Sequence, residues 1–308
     1  MRVVVALGGN AILRRGERGT IAEQRAAIRD TCEDLASLVA AGHELVVTHG
    51  NGPQVGRLML QDEAMPDRLP RYPLDVHVAE TQGQLGYLLM QELSAALGRA
   101  RAERPVVAVV TQVEVDPGDP AFEAPSKPVG PFLSKKGAAE YRARGLTVGE
   151  APGGGWRRVV ASPGPIAIVE AAALRALLAG GVVPIAAGGG GIPVVREGNA
   201  MRGVPAVIDK DLSAAVLTRA VEAQALLILT DVEGVMRGYG TDEATLIQTM
   251  SAVEAEAGVE AGEFPRGSMA EKLLAAVDAV RAGARAVIAG HASAVDALAG
   301  RAGTTILP

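Results

Sequence analysis

The chain has 308 residues, 48% hydrophobic and 21% charged, with a formal net charge of −5. That length carries a large core, as one α/β domain or two lobes, and a mildly acidic chain without a basic tail disfavours nucleic acid as a main partner. A single cysteine, Cys32, excludes an intrachain disulfide and a cysteine-built zinc site.

In chain order, residues 3–7 (Val-Val-Val-Ala-Leu) form an apolar run stopped by Gly8-Gly9-Asn10. The run is too short for a secretion signal. A β-branched run ending at a glycine pair reads as a buried strand feeding a tight loop. Thr20 and Glu23 have capping-box spacing at the start of a helix. Ile21, Ile28, Cys32, Leu35 and Val39 then fall on one helical stripe, which Gly42 ends. Residues 45–48 make a second strand, running into His49-Gly50-Asn51-Gly52. The pattern continues with a helix over 79–97, a strand over 105–111, a helix over 167–179 and a strand over 182–187 that meets Gly188-Gly189-Gly190-Gly191. A helix from about 210, a strand at 226–230, a helix over 269–282 and a strand at 285–289 follow.

This alternation predicts an α/β fold with a mostly parallel sheet and helices on both faces. In such folds ligands bind beyond the carboxyl ends of the strands, where the glycine breaks fall. Glycine admits positive φ and lets backbone amides approach an anion. Three breaks at strand ends predict one crevice lined with amide donors for phosphate. No apolar stretch reaches roughly 18 residues free of charges and breakers, so the reading is a soluble cytoplasmic protein without a membrane span.

Residues 114–165 interrupt the alternation with eight of the 18 prolines and the run Gly153-Gly154-Gly155. A long irregular stretch of this kind is usually functional or mobile. We read it as a small subdomain projecting from the sheet edge as a lid; the alternative is a surface insertion.

Only five of the 30 basic residues are lysine: Lys127, Lys135, Lys136, Lys210 and Lys272. Coding bias accounts for the arginine excess but not for where lysine survives. Lysine is a compact point charge, arginine a broad planar fork. Asp209 can cap the helix after Val207-Ile208, which puts Lys210 in its first turn. A cation there opposes the helix dipole by about 0.3–1 kcal/mol, a conflict that an anionic ligand removes. Asp209 and Asp211 could instead simply neutralise it. In Arg266-Gly267-Ser268-Met269-Ala270-Glu271-Lys272, Ser268 and Glu271 again have capping-box spacing, with Lys272 one turn into a helix whose free amides suit phosphate. A capped helix with a solvated lysine is the plain alternative. Lys127 lies between Pro125 and Pro128 in the insert, where the prolines restrict its backbone.

Other chemistries find little support. His43, His49, His77 and His291 show no paired metal-ligand spacing, so no metal site is predicted. His49 reads as a loop-orienting residue. Ser162 and Ser268 lack a nucleophile elbow, the Walker A pattern is absent, and Gly8-Gly9-Asn10 does not extend to a dinucleotide fingerprint.

Taken together, Val-Ala-Leu-Gly-Gly-Asn-Ala-Ile (5–12), His-Gly-Asn-Gly-Pro-Gln-Val-Gly (49–56), Lys-Pro-Val-Gly-Pro-Phe (127–132), Gly-Gly-Gly-Gly-Ile-Pro-Val-Val (188–195), Val-Ile-Asp-Lys-Asp (207–211) and Gly-Ser-Met (267–269) with Lys272 resemble the carbamate kinases of the amino-acid kinase superfamily. The Asn-Gly-Pro-Gln loop and the insert lysine are specific to that family, and the likeness spans the chain. Related kinases of the superfamily carry a lysine two residues before the glycine pair, where this chain has Ala6; the resemblance makes Lys210 the candidate to supply that charge.

The resemblance implies a three-layer αβα sandwich with an open, mostly parallel sheet. It implies a single domain over 1–308, with a carbamate half (1–205), a nucleotide half (206–308) and a protruding subdomain at 114–165. It implies reversible phosphoryl transfer between ATP and carbamate, giving ADP and carbamoyl phosphate. Lys127, Lys210, Asp211 and Lys272 would be catalytic, with Asp211 holding the lysines rather than acting as a base. Gly8, Gly9, Asn10, Gly50, Asn51 and Gly52 would cradle the transferred group. Asp231, Tyr239, Ser268 and Met269 would hold ATP or ADP, with Mg²⁺ carried by the nucleotide. A cytoplasmic homodimer acting in arginine metabolism is the implied setting. Another small-acid or phosphate kinase of the superfamily, and a non-catalytic metabolite sensor on the same fold, are the alternatives.

Overall fold

The structure is a computed structural model that describes residues 1–14, 16–64, 70–150, 155–265 and 267–308. Strand β1 (Arg2–Leu7) and helix α1 (Ile21–Ala40) are followed by β2 (Glu44–His49), α2 (Gly52–Ala64) and α3 (Leu74–Arg99). Next come β3 (Val106–Ala108), β4 (Gln112–Val115), β5 (Lys127–Leu133), α4 (Lys135–Ala143), β6 (Val148–Glu150), β7 (Trp156–Val160) and β8 (Pro165–Ile168). Helix α5 (Ala171–Ala179), β9 (Val183–Ile185), β10 (Ile192–Glu197), β11 (Ala200–Gly203), α6 (Lys210–Ala220) and β12 (Ala225–Thr230) continue the chain. A short hairpin, β13 (Met236–Arg237) with β14 (Thr245–Leu246), precedes β15 (Thr249–Ser251), α7 (Ala252–Glu260), α8 (Met269–Arg281), β16 (Arg285–Gly290), α9 (Ala294–Leu298) and β17 (Thr304–Leu307).

Eight strands form the central sheet in the order β15-β17-β16-β12-β1-β2-β9-β3. All neighbours pair in parallel except β16 with β17, so the sheet is mostly parallel, as the alternation predicts. Alternation along β1 shows how it is filled. Val3, Val5 and Leu7 pack with Ile28, Cys32 and Leu35 of α1 and Leu85 and Leu89 of α3. Val4 and Ala6 pack into the opposite layer with Leu217 of α6 and Leu273 of α8. A strand buried on both faces needs an uninterrupted apolar run, which is why β1, β2 and β12 are legible. The result is a three-layer αβα sandwich. β1 lies between β2 and β12, so the chain leaves it in one direction and returns on its other side. That is a topological switch point.

A second, four-stranded sheet has the order β11-β10-β4-β8, and residues 127–160 add a three-stranded sheet β5-β7-β6 with α4 beside it. Residues 153–154 of the predicted glycine run lie outside the described residues.

Several local expectations are corrected. Ile21 opens α1 but is 46% exposed, so the buried stripe begins at Ile28. The helix expected over 167–179 starts at Ala171, because residues 165–168 pair with β4, Val113 opposite Ile168. β9 stops at Ile185, and Ala187 takes a left-handed φ of 52°. Helix α2 is unforeseen; its Gly-Pro start reads as a loop. The Thr20–Glu23 capping box is present. The one at Ser268 and Glu271 is not: Ser268 makes no side-chain cap bond, and the Ala270 amide donates to Pro265 O at 3.3 Å. The Gly267 φ of 77° brings the chain in too sharply for a reciprocal cap.

The third glycine break is also reassigned. Gly188–Gly191 form a buried 3-10 turn whose later amides donate internally, Gly190 to Ala187 O and Gly191 to Gly188 O. A Cβ on Gly188 would come within 2.5 Å of His49, one on Gly189 within 2.2 Å of Asn51, and one on Gly190 within 2.2 Å of Ile208 O. These glycines let three chain segments touch behind the crevice; they do not present a row of phosphate donors. Gly190→Ala is therefore expected to lower stability by about 3 kcal/mol or more, since strain at positive φ adds to the clash. Chemical denaturation measures this directly, and a change below about 1 kcal/mol would contradict the packing role.

Candidate active site

The crevice opens at the carboxyl ends of β1 and β2 and encloses about 880 Å³. Gly9, Gly50, Asn51 and Gly52 form one wall, Lys127 overhangs it, and Lys210, Asp211, Gly267 and Lys272 line the rest. Three of the chain's five lysines thus meet in one place, from three elements far apart in sequence.

Asp209 and Asp211 organise them. Asp209 is the N-cap of α6: its Oδ1 accepts from the Asp211 amide at 2.9 Å and the Leu212 amide at 3.4 Å. Its Oδ2 accepts from Lys127 Nζ at 2.5 Å. Asp211, in the first turn of α6, accepts from Lys210 Nζ at 2.6 Å and from Lys272 Nζ at 2.8 Å. The local alternative for Lys210, neutralisation by adjacent aspartates, is therefore half right: Asp211 pairs with it, but the same carboxylate also holds Lys272.

Electrostatics follow from burial. At Asp211 burial works against ionisation, but the two lysines prevail and pull the carboxyl down to about 2. Burial lowers the Lys210 pKa below the usual lysine range, and the Lys272 ammonium adds to that against the pull of Asp211. At Lys272 burial also opposes the charge, but Asp211, with Asp209 and Asp231 behind it, outweighs it and raises the pKa. The carboxylate is thus ionised throughout the neutral range and positions two ammonium groups side by side.

Lys127 is delivered by the segment 127–160. It opens β5 and pairs with Val160 of β7. β5 lies so close to α2 that a Cβ on Gly56 would stand 2.8 Å from the Gly130 Cα. Glu63 of α2 adds an anchor, bonded by the Tyr141 hydroxyl and 3.6 Å from Arg158.

The glycine loops behave differently from one another. Gly50 lies against Lys210, whose Cδ would be 3.3 Å from a Cβ there. Gly52 is the first residue of α2, so its amide belongs to the open N-terminal donors of that helix. Gly9 lines the crevice at the start of a 3-10 turn. Gly8 does not serve as a donor, because its amide bonds Leu229 O at 2.9 Å; a Cβ there would stand 2.8 Å from the same oxygen. Asn10 sits in the turn behind Gly9 and is not among the residues lining the crevice, where Ile12 and Leu13 stand instead. The Asn51 side chain faces the protein, donating from Nδ2 to Thr81 Oγ1 at 2.8 Å. His49 orients the loop as expected: it is buried, its pKa is pushed down to about 4 by desolvation, and its Nδ1–H donates to Gly50 O at 3.0 Å.

A second cavity, of about 560 Å³, adjoins the first at the start of α8, where Gly267 lines one and Ser268 the other. Asp231, Tyr239, Ser268 and Met269 all line it, with Tyr239 67% exposed at its rim. Glu263 and Phe264 also line it and escape sequence reasoning, as does the pairing of Asp209 with Lys127. Arg266 of the predicted motif lies outside the described residues. A cradle for a small anion beside a second, partly apolar cavity, joined by three ammonium groups, suits transfer of a phosphoryl group from one to the other.

The comparisons with known proteins agree. The amino acid kinase family profile matches residues 1–290. The carbamate kinase of Pyrococcus horikoshii is 45% identical over 311 residues, covering 100% of this chain and 99% of its own. The crystal structure of Giardia lamblia carbamate kinase bound to citric acid superposes with a TM-score of 0.92 at 38% identity, over 99% of this chain and 98% of that one. The same enzyme bound to AMP-PNP gives 0.91 at 38% identity, with the same coverage. Matched from end to end in sequence and in fold, the chain belongs to the amino acid kinase family, among its carbamate kinases.

Proposed function

We propose that the protein transfers a phosphoryl group reversibly between ATP and carbamate, in the crevice where Lys127, Lys210 and Lys272 converge on Asp209 and Asp211. That convergence is the observation that carries the residue assignment. A carbamate oxygen attacks the γ-phosphorus as the bond to the ADP oxygen breaks. The attacking oxygen is already anionic, so no proton need be removed, and a carboxyl held at about 2 is a poor base. What remains is positioning and charge stabilisation. Lys210 and Lys272 offset charge on the transferred oxygens, and the Gly9, Gly50 and Gly52 amides face the same group. Asp211 keeps the two ammonium groups preorganised.

The cavity at Asp231, Tyr239, Ser268 and Met269 takes the nucleotide. Asp231, half-exposed at the cavity edge, is the carboxylate that would stand beside Mg²⁺ carried by the nucleotide, which would offset charge on the phosphates. The segment 114–165 acts as a lid that brings Lys127 over carbamoyl phosphate. The family resemblance supports a cytoplasmic homodimer serving arginine metabolism. Among the described residues no helix is long and apolar enough to cross a membrane.

The deciding assay is ATP formation from ADP and carbamoyl phosphate, beside acetyl phosphate and acetylglutamyl phosphate. Turnover of acetylglutamyl phosphate alone assigns another kinase of the superfamily, and no turnover by folded protein assigns a sensor. Lys127→Ala tests the lid. Its loss leaves the Asp209 cap intact, so carbamoyl phosphate binding should weaken and turnover slow, with residual activity from the other charges. ADP affinity, measured separately by calorimetry, should stay within about twofold. Equal weakening of both ligands would make the segment a general structural element.

A further inference from the structure

The Asn-Gly-Pro-Gln turn supplies one group that phosphoryl chemistry leaves unused. Gln54 is 5% exposed and lines the crevice as well as a neighbouring cavity bordered by Arg18, Gln24 and Arg57. A chain of hydrogen bonds dictates which way its amide is turned. The Gly19 carbonyl can only accept, so Gln24 presents Nε2 to it, at 2.8 Å. Gln24 therefore offers its Oε1 to Gln54, and only a donor can answer: Gln54 Nε2 lies 2.8 Å away. The opposite orientation of either amide would set oxygen against oxygen or leave the Gly19 carbonyl facing another acceptor. The relay ends at Gln54 Oε1, which is buried and has no hydrogen-bond partner among the described residues.

A buried carbonyl without a donor is unfavourable, and native proteins rarely leave one so. Because Gln54 borders the crevice, a reactant held there can supply the missing donor. Phosphate and carboxylate oxygens of the reactants carry no hydrogen at neutral pH. The three crevice lysines are held by Asp209 and Asp211. The one N–H donor that the reaction brings to the acceptor side is the amino group of carbamate itself. We infer that Gln54 Oε1 accepts a hydrogen bond from that amino group, so that Gln54 distinguishes carbamate from carboxylates bearing a methyl group in its place. Gln24 and the Gly19 carbonyl are positioning groups that keep the acceptor, not the donor, turned to the substrate. The inference rests on carbamate being the substrate.

Two stable phosphonates test it: phosphonoacetamide and 2-oxopropylphosphonate differ only in an amino against a methyl group. Calorimetry on the whole protein with ADP should show the amide bound about 10–100-fold more tightly. In Gln54→Met, of similar length and without the amide oxygen, the two affinities should converge through loss on the amide side. Turnover should follow, with the ratio of kcat/KM for carbamoyl phosphate to that for acetyl phosphate falling by a like factor. No preference in the parent protein, an undiminished preference in Gln54→Met, or equal loss of both phosphonates would each overturn the inference. If Gln54→Met fails to fold on thermal melting, Gln24→Met serves: it frees the Gln54 amide to rotate and should reduce the preference, and an unchanged preference overturns the relay. A parent protein that separates the phosphonates but makes no ATP from carbamoyl phosphate would refute the reaction and leave the amino-group contact standing.

Discussion

Asp211→Asn is expected to lower turnover by about 10²–10³-fold, the usual effect of disrupting one preorganised charge-stabilising arrangement, and to cost about 3–5 kcal/mol of stability. The carboxylate takes Lys210 at 2.6 Å on one oxygen and Lys272 at 2.8 Å on the other. An amide has one acceptor, so one ammonium would face an N–H₂ group. Two buried cations would then stand together with their common counter-ion removed. Added phosphate or sulfate should restore part of the lost melting temperature by taking that place, without restoring turnover. Acid titration gives an independent arm. The Asp211 carboxyl is held at about 2 in the folded protein, against an ordinary 3.8. Its contribution to stability is therefore complete above about pH 4 and fades as pH falls through about 2. The parent protein should show this loss and the variant should lack it. Parent-like melting and turnover in Asp211→Asn would remove the carboxylate from the site.

Local rules read well where the partners are local. The Thr20–Glu23 cap, the Asp209 cap and the doubly buried strands depend on neighbours in sequence or on burial of every side chain, and both leave a pattern. The same capping spacing at Ser268 fails because the preceding glycine turn, not the cap residues, sets the helix start. Glycine is ambiguous for a related reason. Gly50 and Gly188 both end apolar runs, yet one borders the crevice and the other makes room for His49. The missing Cβ is visible in the sequence, but whether a ligand or another chain segment fills the space is not. The central ion pairs join residues 82 and 61 positions apart, and no local pattern predicts them. What betrayed them was scarcity: a chain that nearly always chooses arginine kept lysine at the three positions where a compact charge fits.

Lys210→Arg tests that geometric reading and is expected to reduce turnover by about 10²–10³-fold although the charge is kept. The Lys210 side chain is 16% exposed and runs along Gly50, with so little room that a Cβ there would stand 3.3 Å from its Cδ. A guanidinium is wider, planar and inclined to grip a carboxylate with two parallel bonds. Gripping Asp211 in this way, it would displace Lys272 from the second oxygen and push the charge off the path of the transferred group. Lys272, displaced from its carboxylate oxygen, becomes a buried cation without a close counter-ion, so stability should fall as well. The alkaline side of the pH profile separates this variant from the parent. Burial depresses the Lys210 pKa below its ordinary 10.5, so in the parent protein kcat/KM, which reports the free enzyme, should fall at a pH below that value as the ammonium loses its proton. Arginine stays protonated throughout, so the residual activity of Lys210→Arg should not show that fall. Turnover near that of the parent would show that Lys210 supplies charge without shape, and would return the choice of lysine at this position to chance.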